Sequence, residues 1–269
     1  MARNERLADL KPVRQRHAAA LALWRWRAPV RAFEMDADWG VDPHVLASLF
    51  RVAAEPPGER SNRAYGQAFA ELCKAPIFES EVDPDTVQLF QLEIFGGLWA
   101  FGDLLDKSGL DEAERVVELS SGLAGYLDGL VEGSFYSHPS EEAHHQYLAD
   151  LADRTSGEGY FASRNFAVES ACHGTLRTFR DSDGLLDSSA GRELLALCED
   201  FGEELVATLR WLRTTGHQRS RREPGGGPAT RRAMRLGTSP VCPNVRATRS
   251  PVRGGTSVRA GAADDRTGP

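Results

Sequence analysis

Five ionisable residues on three predicted helices have the types and the spacing of metal ligands. Glu141 and His144 lie three residues apart, and Glu169 and His173 lie four apart. At either spacing, two residues lie on the same face of an α-helix and can reach one point. Glu93 lies on the inward face of a third, strongly apolar helix, where an isolated carboxylate is costly unless it is protonated, hydrogen-bonded, paired or bound to a metal. Together these side chains predict a metal site between facing helices.

Iron is the metal that suits such a ligand set. Di-iron sites in helical bundles use glutamates and Glu-x-x-His motifs that project from neighbouring helices. A bundle of that kind usually has two such motifs, whereas this sequence supplies one inward pair, Glu141 and His144. A second interpretation therefore stays open, in which Glu93 is a structural residue bonded to His144 or to an arginine, and Glu169 pairs with an arginine later on its own helix.

Two glycines, Gly96 and Gly97, follow Glu93 on the same helix. Small residues beside a buried carboxylate leave room for a ligand, and they also let two helices pack closely. The sequence thus predicts a ligand-binding position at Glu93, Gly96 and Gly97, with close helix packing as the alternative.

Other catalytic patterns have little support. The sequence contains no Gly-x-Ser-x-Gly elbow and no phosphate-binding loop of the Walker type. The acidic residues between Glu199 and Glu204 lie opposite the apolar stripe of their helix, which is typical of a solvated face rather than a magnesium–diphosphate site. The four cysteines lack CxxC spacing and are predicted to be reduced thiols. No catalytic residue can be assigned from the sequence.

Helical periodicity and capping signals predict an all-α fold, a single bundle of seven or eight helices. Strand patterns are almost absent before position 217. The most apolar helix is expected at the centre of the bundle, whereas the first helix, with eight basic residues between Arg3 and Arg31, is expected to expose its arginines. The predicted helices span 4–27, 43–54, 60–74, 84–106, 111–132, 140–154, 160–180 and 189–214.

Composition divides the chain near position 217. Residues 1–217 hold every aromatic residue, 21 basic and 36 acidic residues, whereas residues 218–269 carry 11 Arg, 8 Gly, 6 Pro and 3 acidic residues. A segment of the second kind cannot bury enough apolar surface to fold. The sequence therefore predicts a globular domain over 1–217 and a disordered Arg/Gly/Pro-rich tail over 218–269. Out-of-frame translation of GC-rich bacterial DNA would give the same tail composition.

The acidic balance of residues 1–217 argues against nucleic-acid binding by the folded part. No run is long enough to span a bilayer and no signal peptide is evident, so a cytoplasmic location is expected. Two functions remain. The favoured one is a regulator or accessory factor that acts through contacts with a protein partner, because no catalytic constellation is specific. The alternative is a small-molecule enzyme or ligand-binding protein with an interior carboxylate/histidine site, for example an iron-dependent oxidase.

Overall fold

The structure, a computed structural model, describes residues 7–80, 84–135 and 159–222. In these residues the chain forms helices and no β-strand, and the buried apolar side chains make one continuous core. The predicted all-α class and number of helices are therefore confirmed. The α-helices are α1 (Pro12–Ala32), α2 (Pro43–Ala53), α3 (Glu59–Leu72), α4 (Thr86–Lys107), α5 (Leu110–Phe135), α6 (Tyr160–Leu176) and α7 (Ser189–Arg222).

Capping residues fix the starts of three helices. Asp42 accepts a hydrogen bond from the backbone N–H of His44, directly before α2. Asp85 and Gln88 form a reciprocal capping box at the start of α4. Ser188 accepts a hydrogen bond from an amide in the first turn of α7, as the sequence predicted. Each cap satisfies an amide that has no partner within the helix.

Helix α1 is an enclosed helix of the bundle. It packs against α4, α5, α6 and α7, and every residue from Gln15 to Trp26 is buried. Helix α4 is also buried along most of its length, so it shares the expected central position with α1. The expected exposure of the arginines of the first helix is wrong for Arg16 and Arg25, which are buried. Alanines at four positions of the buried run of α1, 18, 19, 20 and 22, explain its placement, since small side chains let neighbouring helices approach from several sides.

The two ends of the described chain differ from the predicted helix limits. Helix α1 begins at Pro12, which needs no amide partner at a first helical position, and it continues through Pro29 to Ala32. Helix α7 continues to Arg222, past both the predicted helix end at 214 and the predicted domain boundary at 217. The helix predicted over 140–154 and the tail beyond 222 lie outside the described residues.

Candidate functional site

Glu93 is half-buried on α4 and is not at the bottom of an interior site. Partial burial raises the pKa of its carboxyl group, because removal from water disfavours the charged form. Within the part of the chain that the structure describes, no hydrogen bond or ion pair connects Glu93 with another side chain. The proposed bond to an arginine is therefore not formed there, and the proposed bond to His144 concerns a residue outside the described ranges.

Gly96 and Gly97 have different surroundings. Gly96 is exposed, and a Cβ added there would meet no atom within 4 Å. Gly97 is buried, and a Cβ there would lie 2.8 Å from a methyl carbon of both Leu23 and Leu119. Gly97 thus permits close contact of α4 with α1 and α5. The geometry at Gly97 corresponds to helix packing, the alternative that accompanied the predicted ligand position, whereas Gly96 makes no such contact.

Glu169 is deeply buried and pairs with an arginine that the sequence interpretation did not consider. Its side chain is 3% exposed, and its Oε2 lies 3.5 Å from Nη2 of Arg25, which is 1% exposed. Arg177, one of the expected partners, instead pairs with Asp9 at the surface. A buried ion pair of this kind is costly to disrupt, because removing one partner leaves an uncompensated charge in the interior.

Neutral polar groups extend this ion pair into a network across α1, α5 and α6. Nη2 of Arg25 donates to Oγ of Ser120 at 3.3 Å, and the indole Nε1 of Trp26 donates to the same oxygen at 2.7 Å. The Ser120 hydroxyl in turn donates to Oδ1 of Asn165 at 2.9 Å. These bonds fix the register of three helices, and they account for buried polar residues that have no access to solvent.

Two buried thiols lie at the edge of the network. Cys172 on α6 and Cys198 on α7 are both free cysteines. The hydrogen bond between the two thiols lowers the pKa of Cys172, while burial raises the pKa of Cys198 well above its usual value. With both thiols enclosed in the core, neither has the solvent access that reactive cysteines have.

The predicted metal ligands are only partly described. His173 is buried on α6, one turn after Glu169, whereas Glu141 and His144 lie outside the described residues. Over 7–80, 84–135 and 159–222, no three His, Cys, Asp or Glu side chains are grouped closely enough to hold a metal ion. The iron site therefore stays a prediction that depends on residues between 136 and 158.

A cleft of about 880 Å³ opens between the second half of α1, the connection over 33–42 and helix α2. Its apolar lining comes from all three elements and includes a buried floor made by Val30, Phe33, Leu46 and Phe50. Sequence analysis missed this site. A usable signal was present, since Phe33, Met35, Trp39 and Val41 are large apolar residues in a short connection between two helices.

Three arginines line the cleft, and they differ in how well their charges are balanced. Arg27 stacks on the ring of Trp24 at 3.5 Å and pairs with Glu199. The pKa of Arg27 is lowered to about 10, mainly by burial and in smaller part by the neighbouring charge of Arg31, while Glu199 acts in the opposite direction. Arg51 forms an exposed pair with Glu55 at 3.2 Å.

Arg31 is exposed at the cleft and has no ion pair in the described part of the chain. Two acidic residues, Glu34 and Asp36, also lie in the lining. The Asp36 side chain is already engaged, since it accepts a hydrogen bond from the backbone N–H of Asp38. The cleft therefore combines an apolar floor with one arginine that forms no ion pair with a described residue, and Glu34 and Asp36 contribute negative charge to the same lining.

No helix in the described ranges is both long enough and apolar enough to cross a membrane. Comparison with known proteins gives no similarity on which a family could be assigned: no protein-family model, no curated protein and no solved structure matches the chain.

Proposed function

We propose that this chain is a small-molecule-binding protein, and that its ligand is an apolar molecule with one anionic group held in the cleft between α1 and α2. The observation that carries the proposal is the combination of an apolar floor with Arg31, a cation that forms no ion pair with a described residue. Ligand sites in proteins are typically concave and mostly apolar, with a few polar groups that orient the ligand.

The size of the cleft supports a small-molecule ligand. Its volume of about 880 Å³ falls within the range of roughly 300–1,000 Å³ that is usual for such sites. Met35 and Val41 in the lining are only partly buried, so an apolar ligand would remove their remaining apolar surface from water without disturbing the core.

The arginines of the cleft are the reason that we expect an anionic ligand. Arg31 needs no rearrangement to accept a carboxylate or sulfonate, because no protein acid holds it. Arg51 can also bind the anionic group of the ligand. Its exposed i,i+4 ion pair with Glu55 is of a type that contributes only about 0.3–0.5 kcal/mol, so a ligand can replace Glu55 at low cost. Arg27 is less available, because it already contacts both Glu199 and Trp24.

Fluorescence titration of the full chain tests this function. The probe is 8-anilinonaphthalene-1-sulfonate, and decanoate and decanol serve as competitors that differ only in charge. We expect decanoate to displace the probe more strongly than decanol. Arg31→Gln should weaken decanoate binding about three- to tenfold, the effect of one charged contact, while Arg63→Gln, at an exposed position outside the cleft, should have no effect.

A variant that fills the cleft tests whether the ligand binds there. Ala47 is exposed and lines the cleft on α2, so Ala47→Trp should fill the space and abolish binding. Gln67→Trp places the same side chain on the exposed surface of α3 and should bind as the wild type does. Equal affinities of Ala47→Trp and wild type would refute the cleft as the site. If neither decanoate nor the probe binds the wild type, the proposed function is wrong, and the sequence-based hypothesis of a regulator acting through protein contacts becomes the better one.

A further inference from the structure

Arg16, in the first half of α1, is a buried cation without an acidic partner. It is 8% exposed, although burying an ionised side chain is costly unless an opposite charge compensates it. Nη1 donates to Oδ1 of Asn62 at 2.6 Å and Nη2 to Oγ of Ser61 at 3.2 Å, and both of these oxygens are neutral. Nε has no hydrogen-bond partner, and no acid among the described residues forms an ion pair with this guanidinium.

The charge of Arg16 is nevertheless present at neutral pH. Burial lowers the pKa of its guanidinium to about 10, which still leaves the group protonated near pH 7. Among the described residues, Tyr65 is the titratable group whose interaction opposes this lowering of the Arg16 pKa. Its hydroxyl group is itself fully buried and donates to the carbonyl of Leu98 at 2.7 Å. The protein thus retains an interior positive charge that its own described acids do not balance.

A small cavity of about 120 Å³ adjoins this charge. Because a water molecule in the liquid occupies about 30 Å³, the cavity has room for roughly four waters or for one small oxyanion. Four polar residues line it, and three of them can offer hydrogen-bond donors to a ligand, because the amide nitrogen of Gln15 already donates to the carbonyls of Leu7 and Leu10. The polar residues of the lining are Gln15, Arg16, Asn62 and Ser108.

The mouth of the cavity lies at the connection between α4 and α5. Ser108 ends α4 in a left-handed conformation, with φ of 53°, and it is exposed. Gly109 follows directly before α5, and a Cβ at Gly109 would collide with the carboxylate of Glu112. Glu112 therefore brings a carboxylate close to Gly109 at the edge of the cavity, and its charge opposes the entry of an anion.

We propose that this cavity binds a small oxyanion of the phosphate or carboxylate type, with Arg16 as its counter-charge. Arginine presents several donors in one plane and is suited to two oxygens of such an ion. Asn62 holds the guanidinium in place through its Oδ1, and its amide nitrogen remains as a further donor. This site is separate from the cleft between α1 and α2, and it does not depend on the function proposed for that cleft.

The test uses the full chain, with inorganic phosphate, acetate and chloride as probes at constant ionic strength. Isothermal titration calorimetry measures affinity, and the thermal midpoint is followed as each anion is added, since an ion that binds the folded state raises that midpoint. We expect a saturable response to phosphate or to acetate, and a weaker one to chloride, which cannot present two oxygens. The oxyanion that binds more tightly identifies the ligand class.

Two substitutions with opposite expected effects make the test specific. Arg16→Gln removes the charge and should abolish the saturable response. Glu112→Gln removes the opposing charge at the mouth and should tighten binding about threefold, while Glu118→Gln, at an exposed position on the same helix, should leave the affinity unchanged.

The result for Glu112→Gln keeps the proposal testable even if Arg16→Gln fails to fold. Phosphate also stabilises proteins generally by exclusion from their surface. An equal, non-saturating rise of the thermal midpoint in all variants would therefore be a general salt effect and would overturn the proposal. So would a Glu112→Gln affinity equal to that of Glu118→Gln.

Discussion

His17 should make the stability of this protein fall as the pH drops below about 6.5. The imidazole is fully enclosed at 0% exposure, and its ring lies edge-on to Phe179 with centroids 5.3 Å apart. Burial lowers the pKa of His17 to about 4, and the adjacent charge of Arg16 acts in the same direction. The carboxylates of Asp181 and Asp183 have a smaller, opposite effect.

The sign and size of the effect follow from linkage between protonation and folding. The folded state holds His17 neutral, while the unfolded chain protonates it near its usual pKa of about 6.5. The contribution to stability is therefore complete above about pH 6.5 and is lost as the pH falls through the folded-state pKa of about 4. A shift of about 2.5 pKa units corresponds to roughly 3 kcal/mol of unfolding free energy at 1.36 kcal/mol per unit.

Urea denaturation of the wild type and His17→Gln between about pH 7 and pH 4 measures this effect. The variant has no group at position 17 that titrates, so the stability advantage of the wild type over it should shrink by about 3 kcal/mol across this range. His44→Gln, at an exposed histidine on α2, is the matched control and should follow the wild-type curve. Parallel curves for the wild type and His17→Gln would refute the assignment of a neutral, buried imidazole.

Three further predictions concern α4, α5 and the start of α6. Gly96→Ala should raise the unfolding free energy by about 0.5–1 kcal/mol. Gly97→Ala should lower it, because the added Cβ would press on two leucines. Equal unfolding free energies of the two variants in urea denaturation would contradict this pair of predictions. Asp128 accepts the backbone N–H groups of the first turn of α6 at 2.8 Å, so Asp128→Ala should cost about 1–2 kcal/mol, and a thermal midpoint equal to that of Glu118→Ala would disprove it. Glu93→Gln should leave the unfolding free energy within about 1 kcal/mol of the wild type, since the described residues offer Glu93 no partner. The iron and manganese stoichiometry of both proteins tests the predicted metal site. That prediction is wrong if the wild type takes up neither metal under anaerobic conditions.

Local signals were sufficient for the secondary structure. The seven described helices overlap those predicted, because caps such as Ser188 and apolar periodicity act within a few residues of the helix they define. The predicted ends of α1 and α7 were less accurate. The first helix was predicted to end at 27, but tertiary packing around it holds the helix together through Pro29 to Ala32.

The sequence interpretation was least accurate for the burial and the partners of charged residues. Glu93 looked inward on a helical projection and is half-buried, whereas Glu169, at the border of its apolar stripe, is deeply buried against Arg25. A helical projection gives the direction of a side chain relative to its own helix, and it does not give the identity of the helix that packs there. The partner of Glu169 lies 144 positions away in the chain, so no local pattern could indicate it.

The sequence by itself determined that this protein is all-α, where most of its helices lie, and that its folded part is acidic, because these properties depend on local propensity and composition. Only the tertiary structure decided that α1 is an enclosed helix and that Arg16 and Arg25 are buried cations. The alanine-rich pattern of α1 has no single apolar face, so its burial depends on the neighbours that surround it. The small cavity likewise exists only where distant segments meet, and the cleft depends on how α1 and α2 pack across the connection between them.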